Sequence, residues 1–288
     1  MKQWLLLATL AALWGPSFLV IKIGLRDIPP ITLAAGRVAI AGLLLYGLVR
    51  ALGDRMPRDR DFWRKFTIMG ILANVVPFSL LMIGETLAPS AIAAIFNGLV
   101  PLVTAVIAHL VIPEERLNRR SGLGLLAGLV GILLIFLPTL ADGLAGNDLL
   151  LGLLAFTGMA IGYGVSVVYS RTQLRGHPRF VGPTAQLLSA SLFLIPIALA
   201  FEWDRLHIPD LESSLALVWL AVIATAAAYI VYYRLVEIAG ATFLSLVTFL
   251  LPPIGLVLGV IFLDEVVGWE AVVGCGLILA GVGASRGK

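Results

Sequence analysis

The chain repeats one constraint ten times: an apolar run of about twenty residues, the length a helix needs to cross the hydrocarbon core of a bilayer. The runs cover residues 3–24, 31–50, 65–84, 89–112, 119–138, 149–170, 180–201, 214–236, 241–263 and 268–285. Backbone N–H and C=O groups have no water to bond in lipid, so each run is expected to be a helix. The ten-residue alternating segments of a β-barrel do not occur. Only 13% of the 288 residues are charged, against about 25% in a soluble domain. Too few polar side chains exist to coat a soluble core, and the links between runs are too short for a soluble domain. The expected class is an all-α polytopic membrane protein with ten transmembrane helices. The first run continues past Val20, longer than a signal-peptide core, and reads as a retained span.

Charge sets the expected orientation. With the N-terminus cytoplasmic, the inner segments hold Lys2; Arg50, Arg55, Arg58, Arg60, Arg64 and Lys65; Arg116, Arg119 and Arg120; Arg171, Arg175 and Arg179; Arg234; and Arg286 and Lys288. That is 16 of the 20 Lys and Arg residues. The outer links carry carboxylates such as Asp204, Asp210 and Glu212. Cytoplasmic links are enriched in Lys and Arg, so both termini are expected inside. The basic links read as topology signals rather than nucleic-acid sites.

Two stretches match each other: "IFNGLVPLVTAVIAHLVIPEER" from Ile95 and "LVTFLLPPIGLVLGVIFLDEV" from Leu246. A shift of 151 places Pro101 on Pro252, Ala88 on Ala239 and Glu114 on Glu265. A shift of 152 places Gly122, Gly124 and Gly131 on Gly274, Gly276 and Gly283, and a shift of 148 places Pro30 on Pro178. The spans therefore divide into a first five-helix repeat (1–140), a linker (141–147) and a second repeat (148–288). Five is odd, so the second copy enters from the opposite face. Such inverted repeats build secondary transporters with a substrate site near the midplane.

The stretches "ALWGPSFLVIKIGLRDIPPITLAAGRVAIAGLLL" and "APSAIAAIFNGLVPLVTAVIAHLVIPEERLNRRSGLGLLAGLVGILLI" resemble the first two and the fourth and fifth spans of the EamA group in the drug/metabolite transporter superfamily. The resemblance covers essentially the whole chain. Pro16, the pair Val100–Pro101 and "PEER" from Pro113 depart from its usual pattern. The resemblance implies a ten-helix inverted-repeat carrier, metabolite efflux and a bacterial inner-membrane location. Within the group it leans toward YddG-like amino-acid exporters. A drug, nucleotide-precursor or sugar-derivative carrier is the alternative.

Polar residues inside spans nominate a site, since they face protein or a cavity more often than lipid. Asn97 and Thr248 each lie four residues before a proline, Pro101 and Pro252, whose missing N–H frees their carbonyls. Pro77 frees Ala73, beside Asn74, in the same way. Trp14 is far from the interface where Trp usually anchors, Ser17 lies a turn on, Tyr163 falls near the repeat equivalent of Gly15, and Tyr229 is moderately deep. The expected substrate-binding set is Trp14, Ser17, Asn74, Asn97, Tyr163, Tyr229 and Thr248, with Pro77, Pro101 and Pro252 as kinks. Tyr232, Tyr233, Trp203 and Trp269 read as an interfacial belt. Lys22 and Arg37 read as structural, snorkelling or paired with Asp27 or Glu85 across helix ends, with binding of a substrate carboxylate as the alternative. The glycine runs 122–128 and 274–276 read as small-residue surfaces for close helix packing.

No nucleotide-binding G-x-x-x-x-G-K-[ST] motif occurs, and Cys275 is the lone cysteine. His109 is the one intramembrane histidine, and there is no H-E-x-x-H. Neither metal, cofactor nor catalytic residue is expected, and a membrane-embedded enzyme is a distant alternative. The expected partners are a small-molecule substrate and the bilayer, with no nucleic acid and no obligatory protein. No acid lies near mid-span, which favours facilitated diffusion or exchange over proton coupling.

Overall fold

The computed structural model describes residues 2–88, 93, 96–135, 147–174, 180–251, 253–254 and 268–284. Linker residues 141–146, Pro252 and Glu265 lie outside them. Among the described residues the ordered elements are helical, with no strand. In chain order they are α1 (Lys2–Trp14), α2 (Ser17–Gly24), α3 (Pro30–Ala51), α4 (Arg60–Gly70), α5 (Val76–Leu87), α6 (Val100–Val111), α7 (Arg119–Ile135), α8 (Asn147–Gln173), α9 (Val181–Glu202), α10 (Leu211–Ala221), α11 (Ala228–Ala239), α12 (Ala241–Ser245) and α13 (Trp269–Ala284). Six continuous helical stretches are long and apolar enough to cross a membrane: Lys2–Gly24, Pro30–Ala51, Arg60–Leu87, Asp148–Gln173, Val181–Arg205 and Leu211–Ala239. Shorter apolar helices cover Val100–Val111, Ala241–Leu251 and Val272–Gly281. Large apolar side chains such as Leu110, Leu123 and Leu192 point outward, as they do where the surrounding solvent is lipid.

Local chemistry sets the ends. Asp59 caps α4 by accepting the Phe62 N–H at 2.8 Å, and Asp210 caps α10 by accepting that of Ser213 at 2.7 Å. Pro30 opens α3, where a missing N–H costs nothing. Pro16 has no N–H to give, and the first span bends between α1 and α2.

Two of the prolines expected as kinks, Pro77 and Pro101, lie at helix starts. Pro101 lies in the first turn of α6, after a turn at Gly98–Leu99. Pro77 lies in the first turn of α5, directly after a π-helical turn at Ile71–Val75. There the Val76 N–H reaches back five residues to the Ile71 carbonyl, absorbing the proline's disruption in a wider turn. A second π-turn, Val222–Ala227, joins α10 to α11, and the Ala228 N–H reaches the Ile223 carbonyl. The two π-turns begin at 71 and 222, 151 residues apart.

Packing pairs elements from the two halves of the chain: α3 with α9, α7 with α13, α5 with α8, and α2 with α10. Gly42 lets α3 approach Leu187 and Leu188 of α9. Between α7 and α13 the backbones nearly touch, and a Cβ on Gly131 would lie 2.5 Å from the Gly274 carbonyl oxygen. Of the expected glycine surfaces, Gly128 and Gly274 meet close neighbours, and Gly131, beyond the expected run, does so too. Gly122 and Gly276 face open space.

Candidate functional site

A cavity of about 810 Å³, its open mouth included, lies between the two halves. Six of the seven residues expected at a substrate site line it: Trp14, Ser17, Asn97, Tyr163, Tyr229 and Thr248. The wall draws on both halves of the chain at recurring spacings. At a spacing of 149, Trp14 pairs with Tyr163 and Ser17 with Ser166. At 151, Phe78 pairs with Tyr229, Leu81 with Tyr232, Asn97 with Thr248 and Val100 with Leu251.

Asn74 stands behind the wall. Its Nδ2 donates to the Tyr229 hydroxyl at 2.6 Å, and its Oδ1 accepts from Gln186 Nε2 at 2.6 Å. The Tyr233 hydroxyl donates to Gln186 Oε1. This buried chain of neutral groups fixes the Tyr229 ring and leaves its hydroxyl proton for another acceptor. Thr248 donates to the Ser245 carbonyl at 3.0 Å, so its proton is held by its own helix while its lone pairs remain. The carbonyl expected to be freed by Pro252 depends on a residue outside the described set.

A second constellation across the two halves is charged. Arg37 lies 149 residues before Gln186, and Thr225 lies 151 after Asn74. Arg37 Nε donates to Thr225 Oγ1 at 2.6 Å, and an Nη donates to the Ala224 carbonyl at 3.3 Å. The guanidinium carbon sits 4.3 Å from the centre of the Phe78 ring. The same Ala224 carbonyl accepts the Trp14 indole N–H at 2.9 Å. A π-turn exposes carbonyls that a regular helix would consume, and here one such carbonyl holds two wall residues.

Several expectations need correction. Arg37 pairs with neither Asp27 nor Glu85; it is buried and lines the cavity. Asp27 is engaged by His207, and Lys22 reaches the backbone carbonyl of Glu85 at 2.7 Å. Tyr232 is no belt residue: it is buried on the wall, 3.3 Å from Ser170 Oγ, because α11 turns that face inward. Tyr233 packs against Phe66 and bonds Gln186. Trp203 and Trp269 are exposed, as a belt requires. Ser166 was legible in principle, since it follows Tyr163 by three residues as Ser17 follows Trp14.

Two polar clusters flank the cavity region. On one side, Glu115 accepts from the N–H groups of Ala241 and Thr242 at 3.0 and 2.9 Å, and from Arg171 Nε at 3.2 Å. It caps α12 from another part of the chain. On the other, Asp27 accepts from the Asp210 N–H at 2.7 Å and meets His207 Nε2 at 2.8 Å. That contact raises the His207 pKa and lowers the Asp27 pKa from their ordinary values.

Comparison with known proteins agrees with this architecture. The EamA-like transporter family matches residues 2–137 and, a second time, residues 150–285. The uncharacterized transporter YoaV of Bacillus subtilis is 22% identical over 98% of this chain and 95% of its own length. An uncharacterized transporter of Archaeoglobus fulgidus is 25% identical over 98% of each. The protein PecM of Dickeya dadantii is 27% identical over 91% of this chain and 84% of its own. A crystal structure with 21% sequence identity superposes with a TM-score of 0.82, covering 99% of this chain and 96% of that one, which speaks for the fold. Helices long and apolar enough to span a bilayer, and a family match over both halves, carry one conclusion: this multi-pass membrane protein belongs to the EamA-like transporter family.

Proposed function

We propose that the chain is an alternating-access exporter of amino acids with aromatic or other apolar side chains. It would be built as ten transmembrane helices in two inverted five-helix repeats, 1–140 and 148–288. Both termini would lie on the cytoplasmic side of a bacterial inner membrane. The observation that carries the reading is the cavity wall: aromatic, with few polar groups, and drawn from both halves of the chain. A site at the seam of two inverted copies is reached from either face as one copy rocks against the other. The two family matches and the two π-turns 151 residues apart support the duplication.

No Asp or Glu lines the cavity among the described residues. That supports movement down the substrate gradient or by exchange, rather than proton coupling. The reading has no covalent step and calls for neither cofactor nor metal.

Cells producing the protein and preloaded with labelled phenylalanine, leucine or glucose provide the test. Faster efflux of the two amino acids than from control cells, with glucose unchanged, is the expected result. Efflux equal to the control for every amino acid tried would overturn the amino-acid reading and leave a carrier for another substrate class.

A further inference from the structure

Arg37 is the one cationic side chain on the cavity wall among the described residues. It lies in the first third of α3, seven residues after Pro30, about 10 Å along the helix from that end. It is 4% exposed. A guanidinium does not give up its proton in proteins, so the charge stays. A buried charge normally has a partner of opposite sign. Among the described residues no carboxylate comes within ion-pair distance of this one; its contacts are the Thr225 hydroxyl, the Ala224 carbonyl and the Phe78 ring. These neutral partners fix the plane of the fork but do not balance its charge.

A second observation points the same way. Ser17, also on the wall, holds a buried hydroxyl with no hydrogen-bond partner among the described residues. The corresponding place in the other half is closed: Gln186 is neutral and already joined to Asn74 and Tyr233. The cavity is therefore polarised, with a cation and a spare hydroxyl in one half and no cation in the other. Lys22 is absent from the wall and spends its ammonium on the Glu85 carbonyl.

We propose that Arg37, with Ser17 beside the same cavity, receives the carboxylate of the transported molecule. The substrate class is then a small organic monocarboxylate whose apolar body rests against Trp14, Tyr163, Tyr229 and Tyr232. One guanidinium balances one negative charge, which selects a monoanion over a dianionic phosphate ester. The inference rests on this cavity being the substrate site, as proposed above, and adds the group that is read there.

The test uses purified full-length protein in lipid nanodiscs, with binding followed by tryptophan fluorescence and by calorimetry. The probes are L-phenylalanine, hydrocinnamate, hydrocinnamide and phenethylamine. Both carboxylates are expected to bind at least about tenfold more tightly than the amide and the amine, the scale of a lost charge-assisted hydrogen bond. Arg37→Gln is expected to remove that preference, and Arg37→Lys to keep part of it. Equal affinity of the wild-type protein for hydrocinnamate and hydrocinnamide would overturn the inference, as would an Arg37→Gln protein that still prefers the acid. The wild-type comparison stands even where the glutamine variant does not fold. Tight binding of hydrocinnamate without L-phenylalanine would uphold the carboxylate site and sink the amino-acid reading. Binding of L-phenylalanine with no discrimination between acid and amide would do the reverse. Failure of both acids at millimolar concentration would overturn both.

Discussion

The indole N–H of Trp14 donates to the carbonyl of Ala224 at 2.9 Å, across 210 positions of sequence. It ties the first span of one half to the π-turn of the other, at the wall of the cavity. Trp14→Phe keeps an aromatic ring, smaller than the indole, and loses the donor. The Ala224 carbonyl is then left to Arg37 alone, and the cost is about 1 kcal/mol of stability. A lower thermal midpoint in detergent checks this. The same variant is expected to slow transport, because the ring 6.2 Å from Tyr232 is no longer pinned.

Glu115 and Arg171 form the most enclosed ion pair among the described residues, with side chains 13% and 19% exposed. Glu115 also receives two backbone N–H groups of α12. Glu115→Ala is expected to cost about 2 kcal/mol, since hydrogen bonds to a charged group are lost and buried donors are left unmet. Arg171→Ala should cost less, and the double variant should cost less than the two singles together. A thermodynamic cycle measured by denaturant unfolding reads the coupling; strict additivity would show that the pair does not act as a unit.

The contact between His207 and Asp27 gives a pH dependence outside the membrane. Asp27 is held below its ordinary value by the hydrogen bond from His207, so its contribution is present above about pH 4 and fades as pH falls through the lowered value. His207 is held above its ordinary value by the same bond, so its contribution is full below about pH 6.5 and fades as pH rises through the raised value. Asp210 and the Arg26–Glu212 pair adjoin the site, and the Arg205 carbonyl contacts the ring. The stability difference between wild type and His207→Gln should therefore peak near pH 5 to 6 and shrink above pH 8. A difference flat from pH 5 to pH 9 would refute it.

Gly131 and Gly122 make a matched pair on α7. Gly131→Leu drives a side chain into the Gly274 carbonyl of α13 and is expected to abolish recovery of folded protein. Gly122→Ala meets nothing within 4 Å and should be neutral or stabilising by up to about 1 kcal/mol, from helix propensity. Yield and monodispersity on size exclusion separate the two.

Asn97→Leu combined with Thr248→Val removes the polar groups of one corresponding pair on the wall. Transport is expected to fall while the protein still purifies as a folded species. Unchanged flux would remove these two residues from the site.

Much of this was legible because lipid leaves few choices. The apolar runs predict helices, and the helical stretches at Pro30–Ala51 and Val181–Glu202 match runs 31–50 and 180–201 to within one residue at each end. Polar and aromatic side chains out of place in lipid pointed to six wall residues. The partners of Arg37 were not legible because sequence gives its depth along the helix but not its direction, and the guanidinium turns to Thr225 and Ala224. Tyr232 looked interfacial because its depth was counted along a straight helix. The π-turns leave no periodic signature in an apolar sequence. Pro77 hinted at disruption beside the first π-turn, but Ala228, 151 residues on, gives no such hint beside the second.

Each π-turn closes one more residue in its loop than an α-turn does. The chain thus carries a spare residue in each of two spans, and the spare is where length is slack. Removing one residue elsewhere in these spans would rotate everything beyond it by about 100° and turn Phe78 or Tyr229 away from its neighbours. Removing Ile223 would instead let the backbone close into regular α-helix, with the phase of Tyr229 and Tyr232 kept. Such a shortened protein would hold its aromatic faces while losing the carbonyl that Trp14 and Arg37 share. Deletion scanning would therefore find two one-residue windows of tolerance inside the membrane, and function rather than folding would report the loss.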